Sequence, residues 1–306
     1  MEYIDEVLEI VETHSIKRDS TDFGKIRKEA YEQLDGVTSI EDCYPIVRFI
    51  LSSLNDGHSF LMEREQVDKW KSTGNSDVFV QSPLPFTGKA LNGGIGYIRM
   101  DGFSSGDSTS IQKYGSELQN LIESIDNRDL KGWIIDLRQN TGGNCWPMLL
   151  GLGPLLGDGI CGYFIDNNQV KSGWYYRNGE VGVNSEPICR VNCIPYKLLN
   201  EESPIAVLTG PSTASSGEVI VTSFRGKLNS KSFGESTAGL STGNSDHLLS
   251  DGSMILLTTS IYADRNGNAY GGKIEPDVWV YSDIGKMDVE DESIVKQVIE
   301  WITGSR

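Results

Sequence analysis

A run of small and hydroxyl residues, Ser212-Thr-Ala-Ser-Ser-Gly-Glu, has the residue types best suited to chemistry. It follows an apolar segment at residues 205–208 and precedes an amphipathic segment that starts near Ser216, an order that predicts a strand, a tight turn and a helix. A serine in such a turn lies beside the unpaired N–H groups and the positive dipole end of the helix, which favour nucleophilic attack. The same residue types also suit an ordinary helix N-cap, so both readings are open on this stretch alone.

Two adjacent glycines supply a second candidate site. Residues 133–137 form an apolar segment that runs directly into Arg138-Gln-Asn-Thr-Gly-Gly-Asn. Glycines between a buried strand and a helix allow a ligand to approach the backbone closely and expose N–H groups, as an anion or oxyanion site requires. Gly142 and Gly143 are therefore candidate donors, although a plain strand-to-helix turn has the same composition.

The chain has three histidines, and His58 is the candidate general base. A helical pattern ends at Asp56-Gly57, which breaks the helix and places His58 in a loop. An imidazole in an exposed loop can accept a proton from a nucleophile, and an ordinary surface histidine is the alternative. His247 alternates with apolar residues and is expected on a strand surface, whereas His14 follows a helical segment as a capping or solvated residue.

Cys145 is the rival nucleophile. It follows Gly143 at a predicted helix start, where a thiolate would be stabilised, but free cysteines are more often small core residues. The five cysteines include no Cys-x-x-Cys pair, which argues against a disulfide framework and a zinc ribbon and favours a reducing compartment. With three histidines and no His-Glu-x-x-His sequence, no metal site is expected.

The composition is that of a globular protein with one large domain or two ordinary ones, because 38% of the 306 residues are hydrophobic and 23% are charged. A formal net charge of -16 argues against nucleic acid and anionic membranes as partners. No segment reaches the roughly 20 apolar residues of a membrane span, and the acidic N-terminus is unlike a secretory signal. For the chain as given we expect a cytoplasmic location, while a separate anchor or signal and the oligomeric state stay open.

The hydrophobic periodicity predicts a helical bundle followed by an α/β core. Apolar residues repeat at helical spacing before residue 54, and the pattern changes after a polar stretch at 71–76, where residues 78–80 are typical of a strand. We therefore place a helical domain carrying His58 at residues 1–75 and the core at residues 76–306. Strands and helices then alternate, which predicts a largely parallel sheet; the segments are 95–100, 108–125, 133–137, 145–156 and 205–208.

Residues 160–200 differ from the rest of the core. Their aromatic residues and turn signals are typical of hairpins, so they form a candidate β-rich cap over a cleft. A further hairpin is expected around Asp251-Gly252, and an amphipathic helix ends the chain.

Six short sequences stand in the order in which they occur in one family of enzymes. They are Asn92-Gly-Gly-Ile-Gly-Tyr-Ile, Trp133-Ile-Ile-Asp-Leu-Arg-Gln-Asn-Thr-Gly-Gly, Thr213-Ala-Ser-Ser-Gly-Glu, Gly234-Glu-Ser-Thr-Ala-Gly, Leu249-Ser-Asp-Gly and Ile274-Glu-Pro-Asp. Together, over roughly residues 92–280, they resemble the C-terminal processing, or tail-specific, serine peptidases, a family with tricorn protease and the nisin resistance protein among its relatives. The resemblance implies a crotonase-like or ClpP-like α/β peptidase core that hydrolyses peptide bonds through an acyl-enzyme, without a metal or organic cofactor.

The resemblance also implies the roles of individual residues. Ser215 lies three residues before the glutamate of its motif and is the implied nucleophile, with the N–H groups of Ser216 and of Gly142 or Gly143 as oxyanion donors. The tail-specific branch has a lysine base at the position of Leu240. A Ser–Lys dyad is therefore not implied for this chain.

The base is implied by a different branch. Leu54-Asn-Asp-Gly-His-Ser-Phe-Leu resembles the early loop from which tricorn and the nisin resistance branch take a histidine, so His58 is the implied base. With no PDZ module between this loop and the core, the chain most resembles the nisin resistance branch. The third catalytic residue of tricorn, a glutamate, would fall near Tyr270. A Ser–His dyad is implied, and the group that orients His58 is open.

The implied substrate is an extended peptide or an unstructured C-terminal tail, with lanthionine-type antimicrobial peptides among the candidates. Two other functions are open on the same fold. One is a catalytically silent protein that binds a peptide or another ligand, and the other is an esterase that uses the same dyad.

Overall fold

The computed structural model describes residues 2–72, 84–282, 284–285 and 289–304. The strand expected at residues 78–80 and the domain boundary expected after residue 75 lie outside these ranges. Within them, no helix has both the length and the apolar composition needed to cross a bilayer.

Among the described residues, the N-terminal part contains four α-helices and one short strand: α1 (Glu2–His14), α2 (Phe23–Glu32), α3 (Tyr44–Ser53), β1 (Phe60–Met62) and α4 (Arg64–Ser72). Asp22 caps α2 by accepting a hydrogen bond from the Lys25 N–H at 3.0 Å. Pro45 suits the first turn of α3, where an N–H donor has no partner within the helix. The apolar faces of α1, α2 and α3 pack against one another, as their periodicity predicts.

The remaining elements complete a core of two sheets. In chain order they are β2 (Phe86–Leu91), β3 (Ile95–Met100), α5 (Ser108–Ile125), β4 (Gly132–Asp136), α6 (Cys145–Gly151), α7 (Gly153–Leu156), β5 (Gly159–Asp166), β6 (Lys171–Arg177), β7 (Glu180–Val183), β8 (Glu186–Arg190), β9 (Ile205–Thr209), α8 (Ser216–Phe224), β10 (Ser230–Gly234), β11 (Thr242–Leu248), β12 (Met254–Ala263), β13 (Val278–Trp279) and α9 (Ser293–Thr303).

The first sheet has the order β13-β10-β9-β4-β3-β2, and every pairing except that of β2 with β3 is parallel. All residues of β4 and β9 are buried, as expected for strands covered by helices on both faces. Helices α5, α6 and α8 cover one face, and α9 covers the other. The α/β fold class is therefore confirmed.

One predicted helix, at residues 145–156, is instead two. Helix α6 ends at Gly151 and α7 begins at Gly153, with Pro154 in its first turn. Proline has no N–H group to donate to the preceding turn, and its ring clashes with the carbonyl four residues earlier, so the helix breaks there.

The second sheet is antiparallel. Strand β12 pairs with β11 along one edge and with β1 and then β5 along the other, and β6, β7 and β8 follow β5 in that order. The β5 to β8 strands occupy most of the candidate cap. The hairpin expected around Asp251 joins β11 to β12. Because β1 pairs with Met254, Ile255 and Leu256, the N-terminal part and the core share this sheet.

The helices before β1 also pack on this sheet. Their hydrophobic cluster includes Leu249, Ile255 and Leu257 of the β11–β12 hairpin. At its rim, the hydroxyls of Tyr3 and Ser253 lie 2.9 Å apart. These contacts fix the position of the loop after α3 relative to β12, and the division of the chain after residue 75 stays a prediction.

We expect Ile50→Ala to lower the free energy of unfolding by about 2–5 kcal/mol. Ile50 is fully buried on α3 in the cluster that joins the helices to β12, so its truncation leaves a cavity there. Chemical denaturation followed by circular dichroism measures the change. Ser52→Ala, exposed on the same helix, is the control and should change stability by less than about 0.5 kcal/mol. Equal stability of the two variants would contradict this packing.

Candidate active site

Ser215 lies in the turn between β9 and α8, with φ of 51° and ψ of -114°. A non-glycine residue in this region stores about 1–3 kcal/mol of strain and needs surroundings that fix it. The Ser215 N–H donates to Glu218 Oε2 at 2.9 Å, and the Ala214 N–H donates to the Asn140 carbonyl at 2.9 Å. The turn is therefore held both by α8 and by the loop that follows β4.

Glu218, in the first turn of α8, is fully buried. Besides the Ser215 N–H, its carboxylate accepts hydrogen bonds from the Thr237 hydroxyl and from the Gly239 N–H at 3.1 Å. The Thr237 hydroxyl itself accepts from the Ile274 N–H at 2.9 Å, so its own proton is directed at Glu218. Burial raises the pKa of Glu218 and these donors oppose that rise. The carboxylate thus ties the backbone of Ser215 to the segment after β10.

His58 is the side chain in contact with the Ser215 hydroxyl. Its Nε2 lies 3.0 Å from Ser215 Oγ, and its Nδ1 lies 2.7 Å from Thr242 Oγ1. When the serine hydroxyl donates a hydrogen bond to Nε2, the neutral imidazole carries its proton on Nδ1 and donates a hydrogen bond from there to Thr242. One threonine hydroxyl therefore occupies the position at which a serine hydrolase of the triad type has a carboxylate.

The loop that carries His58 is fixed through its backbone. The His58 N–H donates to Asp56 Oδ1 at 2.9 Å, and the His58 carbonyl accepts from Asn244 Nδ2 at 3.0 Å. Burial lowers the pKa of the His58 imidazole, and the carboxylate of Asp56 partly opposes this effect. At neutral pH the ring is accordingly held in the form that can accept a proton.

The glycine loop packs directly against the serine turn. Gly142 and Gly143 have φ of 101° and 115°, values that favour glycine. A Cβ atom at Gly142 would lie 2.8 Å from the Cβ of Ser215, and one at Gly143 would lie 2.1 Å from the carbonyl oxygen of Phe103. Gly142 is therefore needed for the contact with the serine turn, and Gly143 for the contact with the segment after β3.

The N–H groups at this junction are not equivalent. The Gly142 N–H donates to Asn140 Oδ1 at 3.0 Å and is occupied. The N–H groups of Gly143 and Ser216 donate to no residue in the described part of the chain. Two free donors thus lie beside the serine, one from the glycine loop and one from the start of α8.

Cys145, the rival nucleophile, lies at the start of α6. Burial raises the pKa of its thiol to about 12. The thiol is therefore protonated at neutral pH, and only the thiolate is a good nucleophile. This environment does not support the role that the sequence left open for Cys145.

The other candidate partners lie elsewhere. Tyr270, where the tricorn glutamate would fall, donates its hydroxyl to Asp264 Oδ2 at 3.0 Å. The rings of His14 and His247 stack on each other with centroids 5.0 Å apart, an interaction that the sequence did not predict. Among the residues described, no group of three or more His, Cys, Asp or Glu side chains is placed to hold a metal ion.

Thr242 is the contact that sequence reasoning missed. It belongs to no motif, and it reaches His58 only because β11 and β1 pair with opposite edges of β12. The one signal in the sequence was that Thr242 lies two residues after Leu240. Leu240 occupies the position of the base in the tail-specific branch, so a residue close to it could be expected near the nucleophile.

We expect Glu218→Gln to lower the free energy of unfolding by about 1–3 kcal/mol. The new amide NH₂ group would face one or more of the hydrogen-bond donors that now bind the carboxylate of Glu218. One of these donors is the N–H of Ser215, in the strained turn. Thermal or chemical denaturation measures the effect, with the exposed Glu202→Gln as the matched control. Unchanged stability of Glu218→Gln would mean that the carboxylate does not hold the turn.

Comparisons with known proteins agree with this architecture. The sequence matches peptidase family S41 over residues 94–280. It is 27% identical to the nisin-resistance protein of Lactococcus lactis subsp. lactis over 304 residues, which are 98% of this chain and 86% of that protein. It is also 27% identical over 173 residues to the carboxy-terminal processing protease CtpA of Bacillus subtilis (strain 168), a match that covers 56% of this chain and 32% of that protein.

A solved structure extends the likeness to the whole fold. The structure of a lipoprotein from Streptococcus agalactiae superposes with a TM-score of 0.77 at 26% identity, covering 100% of this chain and 96% of that one. The resemblance to the C-terminal processing peptidases and to the nisin resistance protein is thereby confirmed, and the family match spans more than half of the chain. The chain therefore belongs to peptidase family S41 and is a serine peptidase.

Proposed function

We propose that the protein is an endopeptidase that cleaves extended peptides through a dyad of Ser215 and His58. The observation that carries the proposal is the 3.0 Å separation between Ser215 Oγ and His58 Nε2. This is within the distance at which a general base can take a proton from a nucleophile. The lowered pKa of His58 supports it, because the base must be neutral to act.

In the proposed mechanism, His58 Nε2 takes the hydroxyl proton as Ser215 Oγ attacks the peptide carbonyl carbon. The tetrahedral intermediate collapses when His58 returns that proton to the leaving amine, which leaves an ester on Ser215. A water molecule then attacks the ester carbonyl while His58 accepts a proton from it. His58 finally protonates Ser215 Oγ, which releases the acid product and restores the free enzyme.

The proposed oxyanion donors are the N–H groups of Ser216 and Gly143. This narrows the expectation from the sequence, which included Gly142, because the Gly142 N–H already donates to Asn140. The role of Gly142 would be steric: it has no side chain, and a Cβ atom there would clash with the Cβ of Ser215. Removal of one oxyanion donor costs about 2.7–4 kcal/mol of transition-state stabilisation where a side-chain donor has been tested in related chemistry.

Thr242 is the proposed orienting group of the dyad. A hydroxyl bound to Nδ1 selects the tautomer that leaves Nε2 free to accept a proton, but it adds no negative charge. The imidazolium that forms during the reaction would therefore be less stabilised than in a triad with a carboxylate.

The proposed substrates are unstructured peptides or protein tails. Strand β11 pairs only with β12 among the described strands, so its second edge is available to an extended peptide. The net charge of -16 favours cationic peptides. Lanthionine-type antimicrobial peptides are included because a relative that matches nearly the whole chain is a nisin-resistance protein. The cytoplasmic location expected from the sequence remains a prediction.

Ser215→Ala should reduce kcat/KM for a cleaved peptide by about 10⁴-fold or more, because the nucleophile is lost. His58→Ala should cause a loss of similar size, and a serine-directed phosphonate should label the wild type but not the Ser215 variant. Ser212→Ala, exposed in the same turn, is the matched control and should keep its activity and its labelling.

Activity that persists in Ser215→Ala would overturn the proposed nucleophile. Tight peptide binding without turnover in the wild type would indicate a silent binding protein. Turnover of esters but not of peptides would indicate an esterase.

The activity of the enzyme should fall as the pH decreases through the pKa of His58. Burial places this pKa below its ordinary value of 6.5, so the neutral base is still present at pH 6.5 and is lost only at lower pH. A profile of kcat/KM against pH, with circular dichroism at each pH to monitor folding, measures the midpoint. A midpoint above 6.5 in folded enzyme would contradict the assignment.

A further inference from the structure

A cavity of about 490 Å³ lies along β11, next to the candidate active site. Gly243, Asn244, Ser245 and His247 of β11 form one wall. Its near end adjoins the dyad, because Asn244 donates to the His58 carbonyl at 3.0 Å and Gly243 follows Thr242 in the chain. The residues that line the cavity are thus linked to those that hold His58, both along the chain and by a hydrogen bond. Neither member of the dyad lines the cavity.

The chemistry of the proposed reaction indicates which part of a peptide substrate would lie in the cavity. His58 must hand its proton to the leaving amine, so the part of the substrate after the scissile bond lies on the His58 side of the site. Strand β11 meets His58 at Thr242 and Asn244 and runs from there to His247. A peptide that extends beyond the leaving amine along this strand enters the cavity.

The far end of the cavity carries cationic and imidazole groups. Arg18, His14 and His247 line it, in a chain whose net charge is -16. The guanidinium of Arg18 is held in place by the Thr13 carbonyl at 3.0 Å and by Asn168 Oδ1 at 2.7 Å, and its side chain keeps 27% of its surface exposed.

The carboxylates described near this end do not hydrogen-bond to Arg18: Asp19 Oδ1 pairs with Arg18 Nε at 3.8 Å, and the Asp19 side chain is 78% exposed. The carboxylate of Asp166, which also lines the cavity, accepts a hydrogen bond from the Val170 N–H at 2.8 Å within its own turn. Nε2 of His247 is buried and has no partner among the described residues. A buried polar atom without a partner costs about 1–3 kcal/mol, which an incoming hydrogen-bonding group would recover.

We propose that this cavity binds the leaving segment of the substrate and that Arg18, with His14 and His247, binds a carboxylate on that segment. The assignment rests on the proposed peptidase function of the dyad. The carboxylate is either the C-terminal carboxylate of a peptide or the side chain of an acidic residue, since both present the same group to an arginine fork.

The length of β11 sets the spacing. From Thr242 to His247 the strand advances five residues, or about 17 Å at about 3.4 Å per residue. An extended peptide has the same rise, so the carboxylate lies about five residues beyond the scissile bond.

Peptides that share one cleavage site and differ only in the leaving segment test the proposal. The segments run from about three to about seven residues, each with a free or an amidated C-terminus. For the wild type we expect a preference of about tenfold in kcat/KM for the free acid, greatest near five residues, as one charge-assisted hydrogen bond provides. Arg18→Gln should abolish the preference, whereas Arg48→Gln, which lies on α3 and does not line the cavity, should keep it.

A second series distinguishes the two sources of the carboxylate. Amidated peptides that carry Glu or Gln at the fifth leaving residue should differ if an acidic side chain is bound and should react alike if the C-terminus is bound. Equal kcat/KM for acid and amide at every length, together with no Glu preference, would overturn the proposal and leave the proposed peptidase function intact.

Binding to the Ser215→Ala variant separates the two proposals. Its Kd for the same peptides, measured by fluorescence anisotropy, should show the preference for the carboxylate, and the double variant Ser215→Ala/Arg18→Gln should lose it. A preference in Kd without any turnover by the wild type would support the subsite and count against the dyad. No preference in Kd would count against the subsite, whatever the turnover.

Discussion

The pairing of β12 with a different strand on each edge is the constraint on which the candidate site depends. On one edge β1 begins two residues after His58, with Phe60 opposite Leu256; on the other, β11 brings Thr242 and Asn244 alongside. His58 donates a hydrogen bond from its ring to Thr242 and accepts one from Asn244 at its backbone carbonyl. A one-residue slip of either pairing would turn the side chains of that strand to the opposite face, so the contact with Ser215 depends on the register of both.

The serine side of the site depends on a different set of interactions. The positive φ of Ser215 is compatible with folding only because Glu218 and the loop after β4 hold the turn from two directions. Burying a carboxylate is costly unless donors surround it, and here three donors do. In this arrangement the N–H groups of Ser216 and Gly143 have no partner among the described residues. The hydrogen bonds that hold Ser215 at its positive φ therefore also leave two free donors beside it.

The motifs in the sequence identified Ser215, His58 and the glycine loop because each is a local pattern with its own composition. The α/β class followed from the alternation of apolar segments, whereas the break at Pro154 and the pairing of β1 with β12 were not predicted. Thr242, the occupied N–H of Gly142 and the stacking of His14 on His247 could not be predicted, because each depends on how distant segments meet. The protonation state of Cys145 likewise depends on its burial, which local sequence does not report.

The proposed histidine base suits this site better than a lysine would. A lysine must lose its proton before it can act, and its ordinary pKa of about 10.4 requires a depression of roughly three units to reach neutrality. The ordinary pKa of histidine is already near neutral. Burial of a lysine would have to lower its pKa by that amount, whereas burial of His58 only increases the fraction of imidazole that is neutral. The apolar Leu240 at the lysine position adds no positive charge to the site. The imidazolium of the proposed mechanism would therefore meet no repulsion from that position, and Thr242 would contact its second nitrogen.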